Sequence, residues 1–251
     1  MMTAITAMGR WVRIVPYHLM VAMIIAFGAC GANMKGNDKY MDARRRMVQE
    51  QIAARDVRDP AVLDAMRTVP RHEFVPNRMR GDAYRDYPLP IGKGQTISQP
   101  YIVAYMTEAL HVKKGDKVLE VGTGSGYQAA VLAQMGVHVY SIEIVESLAV
   151  KAREVLQKLR YKVHLRIGDG YEGWPQAAPF DGIIVTAAPS KIPSPLIAQL
   201  KEGGRLVIPV GDLLQDLKVL HKRGGKLVEQ KNLPVRFVPM TGKAKKQIRE
   251  N

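Results

Sequence analysis

The chain has 251 residues, enough for one sizeable α/β domain and too few for two large domains with linkers. Lys and Arg number 37 against 23 Asp and Glu, and the formal net charge of +14 points toward acidic partners: nucleic acid, a membrane surface or carboxylate substrates. The single cysteine, Cys30, excludes an internal disulfide and any cysteine-cluster metal site. The basic residues are scattered apart from Arg44-Arg45-Arg46 and the stretch 243–249. No aromatic residues interleave with those clusters to build a base-stacking platform, so nucleic acid is not expected as a partner.

Arg10 and Arg13 precede an apolar run at 14–29, and Gly28 and Ala29 lead into Cys30, the order of a secretory leader. Phe27-Gly28-Ala29-Cys30 resembles a bacterial lipoprotein box, with Phe27 where Leu is usual. The run is short for a transmembrane helix, which needs roughly 20 apolar residues, and Pro16 and Tyr17 interrupt it. Three readings stay open: an exported lipoprotein anchored at Cys30, an uncleaved anchor, or a true start at Met34 or Met41. Residues 1–40 are expected to be leader and linker and 41–251 the folded domain, with membrane contact only through the leader.

Residues 42–55 carry Met47, Val48, Ile52 and Ala53 near helical spacing. A second helix is predicted over 60–68, with Asp59 as N-cap and Pro60 at the first helical position, stopped by Val69-Pro70. The stretch 87–100 holds three prolines and two glycines and reads as loop, and 101–110 returns to helical period. Strand and helix then alternate: strands over 118–121, 137–142, 163–167, 180–186 and 205–210, and helices over 127–134, 146–159 and 195–200, the last closed by Gly203-Gly204. Segments 217–222 and 226–229 bracket Gly224-Gly225 as a hairpin, and 234–238 reads as a last strand. This order predicts an α/β, Rossmann-like doubly wound sheet, mostly parallel with an antiparallel C-terminal hairpin.

The run Glu120-Val121-Gly122-Thr123-Gly124-Ser125-Gly126-Tyr127 follows a strand and opens a helix, the setting of a nucleotide-type binding loop. Glycines let the backbone turn sharply and approach a ligand that side chains would block. Glu143, at the end of the next strand, is placed to take ribose hydroxyls. A dinucleotide fingerprint would want a small residue where Tyr127 stands, and a second acid at Glu120 is awkward beside a pyrophosphate. A carboxylate suits a ligand with a cationic amino-acid end, as in S-adenosylmethionine. Asp169, in Gly168-Asp169-Gly170, follows the next strand and is placed to accept from an adenine amino group, with Gly170 beside it; by itself Asp-Gly reads as a turn.

Longer strings narrow the match. Leu89-Pro90-Ile91-Gly92-Lys93-Gly94-Gln95-Thr96-Ile97-Ser98-Gln99-Pro100 resembles the substrate loop of the protein-L-isoaspartate O-methyltransferases, seven-strand S-adenosylmethionine-dependent enzymes. Val69-Pro70-Arg71-His72-Glu73-Phe74-Val75-Pro76 and Val235-Arg236-Phe237-Val238-Pro239-Met240-Thr241 are similar to that family as well, with Met240 where Leu is more usual. The resemblance implies S-adenosyl-L-methionine as cofactor and isoaspartyl residues of damaged proteins as substrate. It implies Ser98 as the active-site residue, with Gln95, Thr96, Ile97 and Thr241 around the substrate. It also implies a monomeric, cytoplasmic enzyme that begins the repair of aged aspartyl sites. Methyl transfer to a carboxylate already ionised at neutral pH needs no general base, which agrees with the lack of a Ser/His/Asp set.

Two rivals remain. A nucleic-acid methyltransferase would suit the basic charge, but Ala187-Ala188-Pro189-Ser190 offers no aromatic to stack a flipped base. An exported, tethered binding protein would suit the leader, but every cofactor motif is intact. His72 reads as structural, and Trp174 as packing under the cofactor loop. His111, His138, His164 and His221 are dispersed without metal-ligand spacing, so no metal is expected.

Overall fold

The computed structural model describes residues 39–244, so the leader expected upstream, with Cys30, lies outside the described residues. The helix expected over 42–55 is three pieces: α1 (Met41–Arg46), a π-helical turn at Met47–Ile52 and a 3-10 turn at Ala53–Arg55. The apolar spacing still buries Met47, Val48 and Ile52, all three in the π-helical turn. The second helix, α2 (Pro60–Thr68), has the expected bounds. Its Asp59 cap accepts from the amides of Ala61 (2.8 Å) and Val62 (3.4 Å).

The stretch 87–100 is not all loop. It holds an antiparallel ribbon of β1 (Leu89–Gly92) and β2 (Gln95–Ile97), turned by Gly92, Lys93 and Gly94, all at positive φ. Leu89, Ile91 and Ile97 are buried and Pro90 is exposed. A two-stranded ribbon has free outer edges, where proline is tolerated. The segment then enters α3 (Pro100–Leu110).

From there the chain alternates as expected: β3 (Lys117–Val121), α4 (Tyr127–Gln134), β4 (His138–Glu143), α5 (Glu146–Lys158), β5 (Val163–Ile167), β6 (Phe180–Val185), α6 (Ser194–Gln199), β7 (Leu200–Val210), β8 (Gln215–Arg223) and β9 (Lys226–Val235). One seven-stranded sheet runs β5-β4-β3-β6-β7-β8-β9. Strands β3 to β7 pair in parallel, and β8 and β9 add antiparallel. Alternation divides the core: Val118 and Ile184 pack under the N-terminal helices and α4, while Leu119 and Ile183 pack with Phe180 and Leu196 on the other face. The chain moves outward through β4 and β5, then returns to the other side of β3 as β6. Such a reversal opens a crevice at the carboxyl ends of the strands.

Three expectations on this half need correction. Gly203-Gly204 does not close a helix; it lies inside β7, where a Cβ on Gly204 would meet the Asp181 carbonyl at 2.7 Å. Segment 234–238 is not a separate strand: β9 runs through to Val235, and Pro239 makes an isolated bridge with Ala188. Trp174 packs edge-on against Tyr140 of β4 and under the Arg166 guanidinium of β5, not under the glycine loop. His72, read as structural, is buried, stacks on Tyr40 and shares a 2.7 Å hydrogen bond with the Tyr84 hydroxyl. Among the described residues no helix is long and apolar enough to cross a membrane, and no group of three or more His, Cys, Asp or Glu could hold a metal ion.

Candidate active site

The glycine loop leaves the end of β3 with Gly122 at φ 98°, Gly124 at 54° and Gly126 at 87°. These backbone angles disfavour any residue with a Cβ. At Gly122 space forbids one as well. A Cβ there would run into the hydroxyl of Thr186, which donates to the Gly122 carbonyl at 2.6 Å. Glu143 closes the loop from β4: its Oε2 accepts from the Gly124 amide (2.7 Å) and its Oε1 from the Val145 amide (2.8 Å).

Beneath the loop lies a buried polar chain. The Thr123 hydroxyl meets the Ser141 hydroxyl, and Ser141 donates to Glu120, both at 2.5 Å. Burial pushes the Glu120 carboxyl up to about 8; the nearby Glu143 carboxylate adds to the rise and the Ser141 hydrogen bond opposes it. Glu120 is fully buried among protein groups and does not line the crevice.

Two clefts open side by side. The first, with about 590 Å³ of empty space, is lined by Val121 and Gly122 of the loop and by Ile142 to Val145 at the end of β4. Gly170, Thr186, Gln95, Thr96, Met240 and Thr241 complete its wall. Its one charged lining residue, among those described, is the acid Glu143. The second cleft, about 1500 Å³ and open to solvent, runs between Ser98, Gln99, Tyr101 and Ile102 on one side and Leu233 to Pro239 on the other. Its charged lining residues, among those described, are both cations, Arg55 and Arg236. Asp86 braces this cleft, pairing with Arg55 (2.7 Å) and accepting from the Gln99 side chain (2.7 Å). Thr96, Thr186, Val238 and Pro239 line both clefts.

The residues expected from sequence fall into three places. Gln95, Thr96, Gly122, Glu143, Gly170 and Thr241 line the first cleft, and Ser98 lines the second together with Thr96. Gly124, Ser125 and Gly126 form the loop's continuation into α4; Ser125 accepts from the Tyr127 amide at 3.3 Å, and Gly126 is the N-cap. Glu120, Thr123, Ile97 and Asp169 sit off the wall. Ile97 is a core residue. Asp169 caps the turn at Gly170–Glu172 by accepting from Tyr171, and accepts from the Lys243 amide at 2.8 Å, which ties the segment after Thr241 to β5. Sequence reasoning missed Ile144, a large apolar residue left 39% exposed on the first cleft, and Thr186, which holds the loop. An apolar residue directly after a strand-end acid was the signal for Ile144.

The family model for protein-L-isoaspartate(D-aspartate) O-methyltransferase matches residues 42–245. A protein-L-isoaspartate O-methyltransferase of Opitutus terrae is 62% identical over 201 residues, which is 79% of this chain and 86% of that protein. A solved protein-L-isoaspartate O-methyltransferase superposes with a TM-score of 0.72 at 31% identity, over 79% of this chain and 66% of that one. A Plasmodium falciparum protein described as a putative protein-L-isoaspartate O-methyltransferase, solved with S-adenosyl-L-homocysteine, gives 0.69 at 26% identity over 79% of this chain and 98% of that one. The chain therefore belongs to the protein-L-isoaspartate(D-aspartate) O-methyltransferase family.

Proposed function

We propose that this protein esterifies the free carboxylate of isoaspartyl residues in damaged polypeptides, with the methyl group of S-adenosyl-L-methionine. The observation that carries the reading is the pair of adjoining clefts of opposite lining charge, an acid in one and two arginines in the other, which share Thr96, Thr186, Val238 and Pro239. The cofactor supplies an electrophilic methyl on a positively charged sulfur. The first cleft fits that group: the Gly122 cradle admits backbone approach, Glu143 supplies an acceptor for ribose hydroxyls, and exposed Ile144 offers an apolar face to a flat base.

In this reading the chain's own groups bind and orient. Ser98 donates its hydroxyl to the substrate carboxylate and leaves the second oxygen aimed at the shared wall. Arg236 attracts the anionic peptide, Arg55 being held by Asp86, and the apolar surfaces of Ile102, Val235 and Phe237 exclude water around the reacting pair. Positioning of this kind supplies several kcal/mol of barrier lowering without a proton-transfer group. We place its action in the cytoplasm, where the cofactor is made, and as a monomer. Intact-mass analysis of the native N-terminus tests the first point, since a diacylglyceryl Cys30 would move the protein to a membrane.

The test is transfer of labelled methyl groups to an isoaspartyl peptide, its normal aspartyl counterpart and bulk RNA. Base-labile label in the isoaspartyl peptide is expected. Label in RNA alone, or equal label in both peptides, would overturn the reading.

A further inference from the structure

The 3-10 turn at Arg71–Phe74 places a guanidinium where the sequence gives no reason to expect one. Arg71 has no exposed surface and makes no ion pair among the described residues. Its Nε donates to the Ala83 carbonyl at 2.7 Å and its Nη2 to the Ser98 carbonyl at 2.7 Å. The guanidinium also lies over the ring of Tyr127, 4.8 Å from its centroid. Ser98 stands between β2 and α3 on the second cleft, while Tyr127 opens α4 directly after Gly126 of the glycine loop. One side chain therefore touches the main chain of the substrate side and the first helical residue of the cofactor side.

We propose that Arg71 is a positioning residue that fixes the Ser98 main chain against the start of α4 and so sets the spacing between the two clefts. The inference rests on the reading of those clefts given above. A fully buried cation with no direct ion pair, answered by two carbonyls, the Tyr127 side chain and the more distant Asp86 carboxylate, is costly to desolvate, so it is a poor device for stability alone. Burial lowers its pKa to about 10, which leaves it charged at neutral pH. Arginine suits the task where lysine does not: a planar fork reaches two carbonyls from one group while its charge stays over an aromatic ring. Ser98 is held through its carbonyl, so its hydroxyl remains free to face the cleft. A displacement of about 1 Å at such a group can lower turnover on the order of a hundredfold.

The experiment uses the full chain with Arg71→Lys, which keeps a buried cation, and Arg71→Gln, which removes the charge and keeps one donor. For each, kcat and KM are measured with an isoaspartyl peptide, affinity for S-adenosylhomocysteine by calorimetry, and melting temperature. Both variants are expected to lose about tenfold or more in kcat at temperatures well below melting, with cofactor-product affinity within about twofold of the parent protein. Turnover within twofold of the parent in either folded variant would overturn the proposal. So would parallel loss of turnover and of S-adenosylhomocysteine binding, or failure of both variants to fold, since Arg71 would then support the whole fold. A parent protein that binds S-adenosylhomocysteine but leaves the isoaspartyl peptide unmethylated would instead refute the underlying reading.

Discussion

The two clefts are built by different means. The first is built around main chain turning at the ends of β3, β4 and β6, with one acid hydrogen-bonded to two amides, and is completed by Gln95 and Thr96 of β2, Gly170 and the segment 238–241. The second is made of side chains from segments well over a hundred residues apart in sequence, brought together by the β1–β2 ribbon on one wall and the end of β9 on the other. A main-chain cradle tolerates no added Cβ but is indifferent to most neighbouring side chains. A side-chain cleft can change residue by residue without disturbing the cofactor. The contrast teaches where single substitutions should separate cofactor binding from turnover.

The largest effect is expected at Gly122→Val, which strains a positive φ and drives a side chain into Thr186. Affinity for S-adenosylhomocysteine should fall by about a hundredfold or more, read by calorimetry on folded material. Affinity within a few-fold of the parent would show that the cradle is not where the cofactor lies.

Glu120→Gln sharpens the contrast from beneath the first cleft. The folded-state pKa, about 8, is raised above the unfolded carboxyl value, so the fold holds an extra proton over this window. That stability is fully present below the unfolded pKa and is lost as pH rises through about 8. The unfolding free energy of the parent from urea titrations should therefore decline between about pH 5 and 8, on the order of 3 kcal/mol in all, while that of the variant stays nearly flat. Identical slopes would remove Glu120 from that role.

Ser98→Ala acts on the second cleft alone. It should lower kcat about tenfold to a hundredfold while S-adenosylhomocysteine affinity stays within about twofold. Unchanged turnover would take the Ser98 hydroxyl out of the reaction. Smallest is Asp59→Ala, which lines neither cleft and removes the α2 cap. About 1 kcal/mol of stability should go, with kcat and affinity untouched below melting. A change in kcat there would mean that α2 is coupled to the site.

The same contrast explains what could be read from the sequence. The first cleft was legible because glycine spacing and a strand-end acid encode it within 24 residues, Glu120 to Glu143. Even there, motif spacing carries no information on burial: Glu120 lies beside Leu119 and Val121 on β3, a strand covered by helices on each side, so its carboxyl is enclosed. The ribbon at 89–97 was hidden because Pro90 masks the alternation of Leu89 and Ile91. Gly203-Gly204 looked like a helix stop because nothing local reports the approach of the Asp181 carbonyl. Arg71 was illegible for the same reason, since Ala83, Ser98 and Tyr127 meet it only in the folded chain.

The most direct measurement is a crystal structure with S-adenosylhomocysteine and an isoaspartyl peptide bound together. The account expects the nucleoside on Gly122 and Glu143, with its sulfur facing Thr96 and Thr186, and the peptide carboxylate on Ser98 within reach of that sulfur's vacant methyl position. A peptide carboxylate seated away from Ser98, or a nucleoside outside the glycine cradle, would contradict it.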